Sequence, residues 1–442
     1  PFWFHLMLNR GDEQVQVQLP GTLEKKALKR NIESAVKRIT PGMLDTITVV
    51  TPGGRRSRGG PGFTQLEQTL KENVRVENDD LKSGRVPAQT DLLMVLAPES
   101  LDKTQLFAID QFLMRGGRVV MTTSPYQVQI GRSLSASQHE SGVEDWLKHH
   151  GLNVSNALVM DPNSAVLPVP VTRSVGGRTF REVQVLPYPF APDIRDDGIN
   201  SESPITTSLD QMTVTWGSPI SVNQKKNDGR TVTRLLESSS RSWTRKGTDV
   251  LPDFSRYPER GFKVAEPQGR QVMAVAVKGT FKSFFADKPS PLAGDSGAST
   301  GKQGSGTRDD SSNGQEEASA SSFTSVIDAS PASSRLVLIG SNNFATDTSL
   351  RLISQAMGSV YRRPAKLLQN AADWSLEDPA LLALRGRNHS ARALPPLGSD
   401  DKRFWEYLNY GLAAGGLFLI WLWRRQVRKR DQRYYQKILA EV

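Results

Sequence analysis

The stretch DLLMVLAPESLDKTQLFAIDQFLMRGGRVVMT, residues 91–122, decides the fold of this chain. Asp91–Ala97 is an apolar run typical of a buried strand, and Leu101–Arg115 carries its apolar residues at helical spacing. Gly116 and Gly117 suit the end of that helix, and Arg118–Thr122 is a second apolar strand. A strand, a helix and a strand at this spacing predict a parallel pair joined by a right-handed crossover.

The same alternation continues on both sides of this unit. Upstream, the pattern predicts a strand over Ile47–Val50, a helix over Phe63–Asn73 and a short strand over Val74–Val76. Far downstream it predicts a strand over Ser334–Gly340 and a helix over Asp347–Met357. We therefore expect one α/β domain with an open parallel sheet, formed by residues 41–151 and 323–400.

A β-rich excursion separates the two parts of this domain. Residues 152–285 consist of short alternating runs between Pro, Gly and Ser, for example Met212–Trp216 and Val272–Val277, and we expect them to form strands. Residues 286–322 are of low complexity, with Leu292 as their only large aliphatic residue and no aromatic residue. Such a segment buries too little apolar surface to offset the entropy of ordering, so a disordered loop is predicted.

Residues 1–40 belong to a different unit in this interpretation. Phe2–Leu19 alternates around a turn at Asn9–Asp12, which is typical of a β-hairpin. Leu23–Ile39 has an apolar stripe at helical spacing. Because the chain begins with Pro1 rather than Met, we expect it to start inside a longer protein.

The segment Phe404–Trp423 has the pattern of a transmembrane helix. No residue from Tyr407 to Trp423 is charged, and these 17 residues are at the short end of the roughly 17–25 that cross a bilayer. Aromatic residues mark both ends, as they do at membrane interfaces. A buried amphipathic helix is the alternative, but the stretch is apolar on all faces.

The charges around this segment set its predicted orientation. Five Lys or Arg residues lie within residues 424–430, whereas residues 399–406 before the span are nearly neutral. The positive-inside rule then places the tail 424–442 in the cytoplasm and the body in the periplasm of a bacterial inner membrane. Gly411 and Gly415 lie about one helical turn apart, a spacing that lets a second helix approach closely.

Composition excludes several classes of function. The chain has no cysteine, which excludes disulfides, thiolate metal sites and a cysteine nucleophile. Its net charge is +10, but residues 424–442 carry seven Lys or Arg and two Asp or Glu, so +5 lies in this tail. The remaining charge is spread without a dense basic stripe, which argues against nucleic acid as a partner.

The glycine-rich stretch TPGGRRSRGGPGF, residues 51–63, lacks the pattern of a nucleotide-binding loop. Gly54–Gly59 has the Walker A spacing, but a Gly-Pro pair stands where that loop needs Lys and a hydroxyl residue. A solvent-exposed turn is one interpretation. A contact with an anion or a partner is the other, because Arg55, Arg56 and Arg58 would lie at the carboxyl ends of the strands, where open α/β sheets place ligands.

Catalytic, cofactor and metal sites have little support in the sequence. Ser124 follows a strand, but Pro125 comes after it and no Gly-x-Ser-x-Gly elbow surrounds it. His149 and His150 lie at the end of a predicted helix, where a solvated role or a pairing with the helix dipole is expected. The His, Asp and Glu residues show no ligand spacing for a metal. We therefore predict no catalytic residue, no metal and no cofactor.

Several stretches together resemble the GldG-type auxiliary components of ABC transport systems, first known from gliding motility. They are TDLLMVLAP (90–98) with LDKTQLFAIDQFLMRGG (101–117), RVVMTTSP (118–125), SRLVLIGSNNFATD (334–347) with LLQNAADW (367–374), and the C-terminal span with its arginine-rich end. The likeness covers nearly the whole chain apart from the low-complexity segment. Because these are packing and turn motifs, they identify a family better than they identify a mechanism.

This resemblance implies an extracytoplasmic domain related to the open, flavodoxin-like sheet of class I glutamine amidotransferases, without their catalytic residues. It also implies a thioredoxin-like region upstream, of which residues 1–40 are the last hairpin and helix. The fold is similar to domains of intraflagellar transport proteins for which binding of sugars or partners has been suggested. Members of the family work beside, or are fused to, an ABC-2 type permease and work with a separate ATPase. The implied partners are this permease, its ATPase and the lipid bilayer, with a saccharide or a peptide as possible ligand.

Loops at the carboxyl edge of the sheet are the best candidates for a binding face. Besides the three arginines, these loops contribute Glu99, Ser124, Ser341, Asn342 and Asn343. Polar side chains there can bind a polyol, although capping of the following helices also explains them. We expect a non-enzymatic accessory subunit; a membrane-anchored amidotransferase- or peptidase-like hydrolase and a purely mechanical scaffold of the envelope are the alternatives.

Overall fold

A computed structural model describes ten stretches of the chain. They are residues 6–10, 13–17, 32, 44–52, 62–131, 134–175, 178–258, 260–293, 326–376 and 407–425. The chain divides into two units, residues 1–377 and residues 378–442.

The helices of the first unit are numbered within these described residues. They are α1 Thr64–Lys71, α2 Lys103–Met114, α3 Glu144–His149, α4 Asp347–Met357 and α5 Arg363–Leu376. The first nine strands are β1 Leu6–Arg10, β2 Glu13–Val17, β3 Thr46–Val50, β4 Arg75–Asn78, β5 Leu92–Leu96, β6 Arg118–Thr122, β7 Tyr126–Ile130, β8 Leu134–Gln138 and β9 Leu152–Val154. The remaining strands are β10 Leu158–Met160, β11 Ser164–Val175, β12 Arg178–Arg195, β13 Gln211–Thr213, β14 Ile220–Val222, β15 Thr231–Glu237, β16 Trp243–Arg245, β17 Val272–Lys278 and β18 Arg335–Ile339.

A seven-stranded sheet forms the centre of the first unit, in the order β15-β17-β18-β6-β5-β3-β4. The strands from β18 to β4 run parallel, whereas β17 runs antiparallel to both of its neighbours, β18 and β15. Every residue of β3, β5 and β18 is buried. Strands of this kind are near-continuous apolar runs because both faces of the sheet are covered.

The predicted α/β fold is confirmed, but the sheet is mixed rather than parallel throughout. The strand after the low-complexity segment, β18, pairs in parallel with β6, as the sequence predicts. The correction concerns β15 and β17, which the sequence assigns to the excursion and which extend this sheet beyond β18. A short alternating run fits the edge of any sheet, so the pattern did not indicate which sheet these strands would join.

Two hydrophobic cores lie on opposite faces of the sheet. In β5, Leu92, Met94 and Leu96 belong to the first core, together with residues of α1 and α5. Leu93 and Val95 belong to the second core, together with residues of α2 and α3. Successive side chains of a strand point to opposite faces, so one apolar strand supplies both layers.

The two ends of α2 are specified locally. Asp102 Oδ1 accepts a hydrogen bond from Gln105 N at 2.8 Å, and Gln105 Oε1 accepts one from Asp102 N at 3.0 Å, which makes a reciprocal cap at the start of α2. After the helix, Gly116 has φ +91°, a conformation that favours glycine. A Cβ on Gly117 would lie 2.4 Å from the carbonyl oxygen of Phe112. Both glycines are therefore required for the turn into β6.

The excursion has a hydrophobic core of its own. Trp216 Nε1 donates to Tyr188 Oη at 3.0 Å, and Tyr188 Oη donates to the carbonyl oxygen of Val250 at 2.7 Å. Burial raises the pKa of Tyr188, so its hydroxyl stays protonated. Leu350 and Ile353 of α4 belong to the same core. The excursion is thus packed against the α/β domain.

In the C-terminal unit, residues 407–425 are helical and carry exposed apolar side chains such as Leu412, Leu417 and Phe418. Among the residues that the structure describes, no helix has both the length and the hydropathy that a membrane crossing requires. The predicted transmembrane helix is therefore not confirmed.

Several sequence-based predictions concern residues outside the described ranges. These are the helix over residues 23–39 apart from Ile32, the glycine-rich loop over 53–61, residues 294–322 of the low-complexity segment, and the tail beyond residue 425. The N-terminal hairpin is described, with Leu6 opposite Val17. At the start of the low-complexity segment, Pro291–Ala293 forms a 3-10 turn and Leu292 packs against the second core.

Candidate functional site

The carboxyl ends of the parallel strands β3, β5, β6 and β18 meet at one edge of the sheet. Leu96 and Ile339 each lie in register with Thr122, and Val50 lies in register with Val95. Ligands of open α/β sheets bind in the crevice outside these ends. A ligand site is therefore expected at the loops that follow these four strands.

At this edge, the amino end of α1 is occupied by a carboxylate of the protein itself. Asp347 Oδ2 accepts a hydrogen bond from Thr64 N at 2.9 Å, and Oδ1 accepts one from Gln65 N at 2.8 Å. Asp347 N also donates to Gly62 O at 2.8 Å, and Phe63 gives α1 no side-chain cap. Helix amino ends hold phosphates in nucleotide-binding folds. Here that position holds an internal anion.

The residues of the predicted binding loops differ in whether the structure describes them and in how far they are buried. Arg55, Arg56 and Arg58 lie outside the described residues. Glu99, in the loop after β5, is exposed. Asn342 and Asn343, after β18, are buried, with exposed fractions of 1% and 4%.

The two asparagines bind backbone of the segment that leads into β7. Asn342 Oδ1 accepts from Ser124 N at 3.0 Å, and its Nδ2 donates to the carbonyl oxygens of Ser124 and Tyr126 at 2.8 and 3.0 Å. Asn343 Oδ1 accepts from Val128 N at 3.0 Å, while its Nδ2 donates to Val128 O at 2.7 Å. A side-chain amide thus replaces a neighbouring strand for this segment. These amides are engaged inside the protein and do not form an exposed binding face.

The two predicted serines are buried against the excursion. Ser124 Oγ lies 2.9 Å from Ser218 Oγ and accepts from Tyr126 N at 3.1 Å. Ser341 Oγ donates to Thr215 O at 2.7 Å. No histidine is among the hydrogen-bond partners of Ser124 in the described residues, so this serine does not form a Ser-His pair there.

An open cleft of about 510 Å³ lies beside the end of β6. It is lined by Thr123, Pro125, Gln138, His139, Glu140, Ser141, Glu144, Leu147, Lys148, Asn153, Val154, Ser155 and Asn156. These residues come from the turn after β6, the end of β8, α3, and β9 with the turn that follows it. Ligand sites are concave and contain a few convergent polar groups, so this cleft is the candidate functional site.

His139 is held in one orientation at the wall of the cleft. Its backbone N donates to Pro125 O at 3.1 Å, and its ring Nε2 lies 3.3 Å from Pro98 O. Because a carbonyl oxygen only accepts, Nε2 must carry the proton. Nδ1 is a buried polar atom without a protein partner in the described part of the chain.

Glu144, also in the wall, is engaged by backbone at the start of α3. Its Oε1 accepts from Ser141 N at 2.7 Å and from Ser141 Oγ at 2.9 Å, and its Oε2 accepts from Gly142 N at 2.9 Å. Gly142 has φ +85°, and a Cβ there would lie 2.3 Å from Leu101 O. Glu144 thus fixes the rim of the cleft rather than offering a free carboxylate.

The sequence indicated only part of this cleft. Thr123 lies in a loop that the strand order places at the carboxyl edge. His139, Asn153 and Asn156 were missed, because the β7–β8 hairpin and the short strand β9 carry no motif that marks them. Within the described residues, no group of His, Asp and Glu side chains is arranged to hold a metal ion.

A comparison with protein families decides the relationship of this chain. Residues 45–362 match the family described as an ABC-type uncharacterized transport system, the auxiliary family of ABC transporters. The chain belongs to this family. The match spans most of the chain and includes the sheet, the excursion and the cleft.

Two solved structures show a distant likeness to this family member. The N-terminal domain of mmIFT52 is 12% identical, with a TM-score of 0.38, and the match covers 76% of this chain and 98% of that one. A ThuA-like protein from Bacteroides uniformis is 11% identical, with a TM-score of 0.33, and the match covers 75% and 91% of the two chains. At such scores neither likeness supports a conclusion on function. A search of curated proteins gives no match.

Proposed function

We propose that this chain is a non-enzymatic auxiliary subunit of an ABC-2 type transporter, anchored in the bacterial inner membrane with its body in the periplasm. Membership of the ABC transporter auxiliary family carries the proposal. In it, helix 407–425 contacts the permease, the tail beyond it is cytoplasmic, and a separate ATPase supplies the energy.

The chemistry of helix 407–425 supports its role as anchor. Trp421 and Trp423 are exposed, and Arg424 and Arg425 follow them directly. Tryptophan at the headgroup level followed by cytoplasmic arginine is the usual end of a membrane helix. A Cβ placed on Gly411 or on Gly415 would meet no atom within 4 Å, so that face is open to a second helix.

The cleft supports a ligand-binding role for the body. Its wall includes amides and hydroxyls from Gln138, Asn153, Asn156 and Ser155. Side chains of this kind bind neutral hydroxyl and amide groups, which are the groups of a saccharide or a peptide. In this proposal the cleft binds such a ligand and the anchor couples it to the permease.

The permease contact is tested by co-purification of the full chain with glycine variants of the helix. Gly411→Leu and Gly415→Leu fill the open face and are expected to lose the permease. Gly416→Leu is the matched control, since a Cβ there also meets no atom within 4 Å but the residue faces another direction. Equal permease recovery with all three variants contradicts the contact.

The orientation is tested by adding protease to intact spheroplasts. The proposal predicts that the body is digested and that an epitope at the C-terminus is protected. Protection of the body together with digestion of the C-terminal epitope contradicts it. If the permease co-purifies while the cleft binds no member of a saccharide and peptide array, the body acts as a mechanical scaffold instead.

A further inference from the structure

A second cavity, the notch, lies next to the cleft and shares residues with it. It has a volume of about 410 Å³, and Lys148 and Asn153 line both cavities. Its other wall contains Ser221, Asn223 and Lys226. The notch therefore lies between the end of α3 and the turn after β14. A ligand in the cleft that extends past Lys148 enters it.

The two lysines of the notch, Lys148 and Lys226, differ in the partners of their ammonium groups. Lys226 Nζ donates to the carbonyl oxygen of Lys148 at 2.8 Å, which fixes one cation at the wall and leaves its other two N–H groups for a ligand. Lys148 Nζ lies 3.3 Å from Asp145 Oδ1, with side chains that are 56% and 82% exposed. An exposed pair of this kind contributes little, so Lys148 can turn towards a ligand.

Further positive charge surrounds the notch. Arg230 donates to the carbonyl oxygen of Lys226, and Lys225 directly precedes Lys226 in the chain. The pKa of the neighbouring His150 is lowered by burial first, and then by His149, Arg230 and Lys226. Cations near this buried ring thus raise the local potential. Asp228, on the same turn, and Asp145, paired with Lys148, carry the opposing negative charge on these elements.

Neutral donors complete the wall. Asn153 Nδ2 lies 3.5 Å from Ser221 Oγ, at the limit of a hydrogen bond, so this amide is weakly engaged. The Asn223 side-chain oxygen accepts from Lys226 N at 3.2 Å, so its NH₂ group is the end that is not used in this bond. Two ammonium groups and two amide donors around one cavity match the oxygens of an anion.

We propose that the notch binds the anionic group, a phosphate or a carboxylate, of a ligand whose neutral part lies in the cleft. This inference rests on the proposed role of the cleft as ligand site. It adds that the ligand is acidic, and it assigns charge recognition to Lys148 and Lys226. Neither lysine was indicated by the sequence, because each comes from a short element without a motif.

The test is thermal unfolding of the full chain in detergent micelles, with sodium phosphate or sodium acetate exchanged for sodium chloride at constant ionic strength. At least one anion is expected to raise the Tm with a saturable dependence. Lys148→Met and Lys226→Met keep the apolar stem and are expected to raise the half-saturating concentration at least about tenfold, since a charged hydrogen bond is lost. Lys225→Met is the control, because Lys225 does not line the notch.

The outcomes separate the possible ligands and the two proposals. Saturation by phosphate alone assigns a phosphate-bearing ligand, and saturation by acetate alone a carboxylate. No saturable response to either anion, or an equal loss in Lys225→Met and Lys226→Met, overturns the inference. If Lys226→Met does not fold, the Lys148→Met variant, which changes an exposed residue, still tests the inference. If anions still bind but no permease co-purifies, the inference about the notch stands and only the proposed transport role is refuted.

Discussion

Replacing Asp347 is expected to destabilise the edge of the sheet where two helices begin. The carboxylate caps α1 with two backbone hydrogen bonds and lies in the first turn of α4. Loss of a cap costs about 0.5–2 kcal/mol, and loss of a favourable charge at a helix amino end about 0.3–1 kcal/mol. Because one of the two hydrogen bonds is exposed, we take the middle of these ranges. Asp347→Ala should then lower the free energy of unfolding by about 2 kcal/mol, and Asp347→Asn by about 1 kcal/mol.

The assay is urea unfolding of the full chain in detergent micelles, followed by tryptophan fluorescence. Asp145→Asn is the matched control, since Asp145 also lies in the first turn of a helix but, among the described residues, its carboxylate bonds only to the exposed Lys148 in the same helix. This control loses a helix-end charge and an exposed ion pair but no cap, so it should change the free energy by at most about 1 kcal/mol. If Asp347→Ala is no more destabilising than Asp145→Asn, the carboxylate does not cap α1 and the reasoning is refuted.

Three further predictions use unfolding as their measurement. Asn342→Ala removes three buried hydrogen bonds to backbone and should cost about 2–4 kcal/mol in urea unfolding; a cost below about 0.5 kcal/mol would show that the amide is dispensable. His150 has a pKa lowered chiefly by burial and then by nearby positive charges. In the unfolded chain this histidine takes up a proton near the ordinary pKa of 6.5, and in the folded chain it does not. The free energy of unfolding should therefore fall as the pH drops below that value, by up to about 1.4 kcal/mol per pH unit. His150→Phe should remove this component, and an unchanged pH dependence would contradict the assignment. Gly142→Ala should lower the Tm more than Gly229→Ala: both have positive φ, but only at Gly142 would the Cβ meet backbone, at 2.3 Å. Equal shifts would show that the rim of the cleft adjusts freely.

The central βαβ unit was predictable because its signals are local. The apolar run of β5, which is buried on both faces of the sheet, and the helical stripe of α2 are each set within a dozen residues, and Asp102 caps α2 from three residues away. The predicted bounds of α4 and β6 agree with the structure. Period and capping are properties of short windows, so they can be read without knowledge of the tertiary fold.

The roles of the polar loop residues were not predictable in the same way. Asn342 binds Ser124 across 218 residues of chain, and Asp347 caps a helix that begins 283 residues earlier. Sequence placed both residues after the correct strand, but it did not show whether their side chains face solvent or the excursion. A polar side chain that faces solvent at the edge of a sheet is available to a ligand, whereas one that faces the excursion forms hydrogen bonds inside the protein.

The cleft and the notch depend on elements that short patterns do not reveal. In the hairpin β7–β8, YQVQI has the alternation of a strand, but its partner LSASQ has polar residues that resemble a loop. β9 and β14 are three residues each and pair only with each other among the described strands. Their register brings Asn153 opposite Ser221. Such pairings follow from tertiary contacts and not from propensity.

Affinity purification of the unaltered full chain from its native membranes, with mass spectrometry of what accompanies it, tests the proposed function most directly. We expect one polytopic permease and one ATPase with a Walker A motif, both enriched in fixed ratio to the chain. Recovery of the chain from the membrane fraction with neither protein enriched over a mock purification would contradict its role as an auxiliary subunit of an ABC transporter.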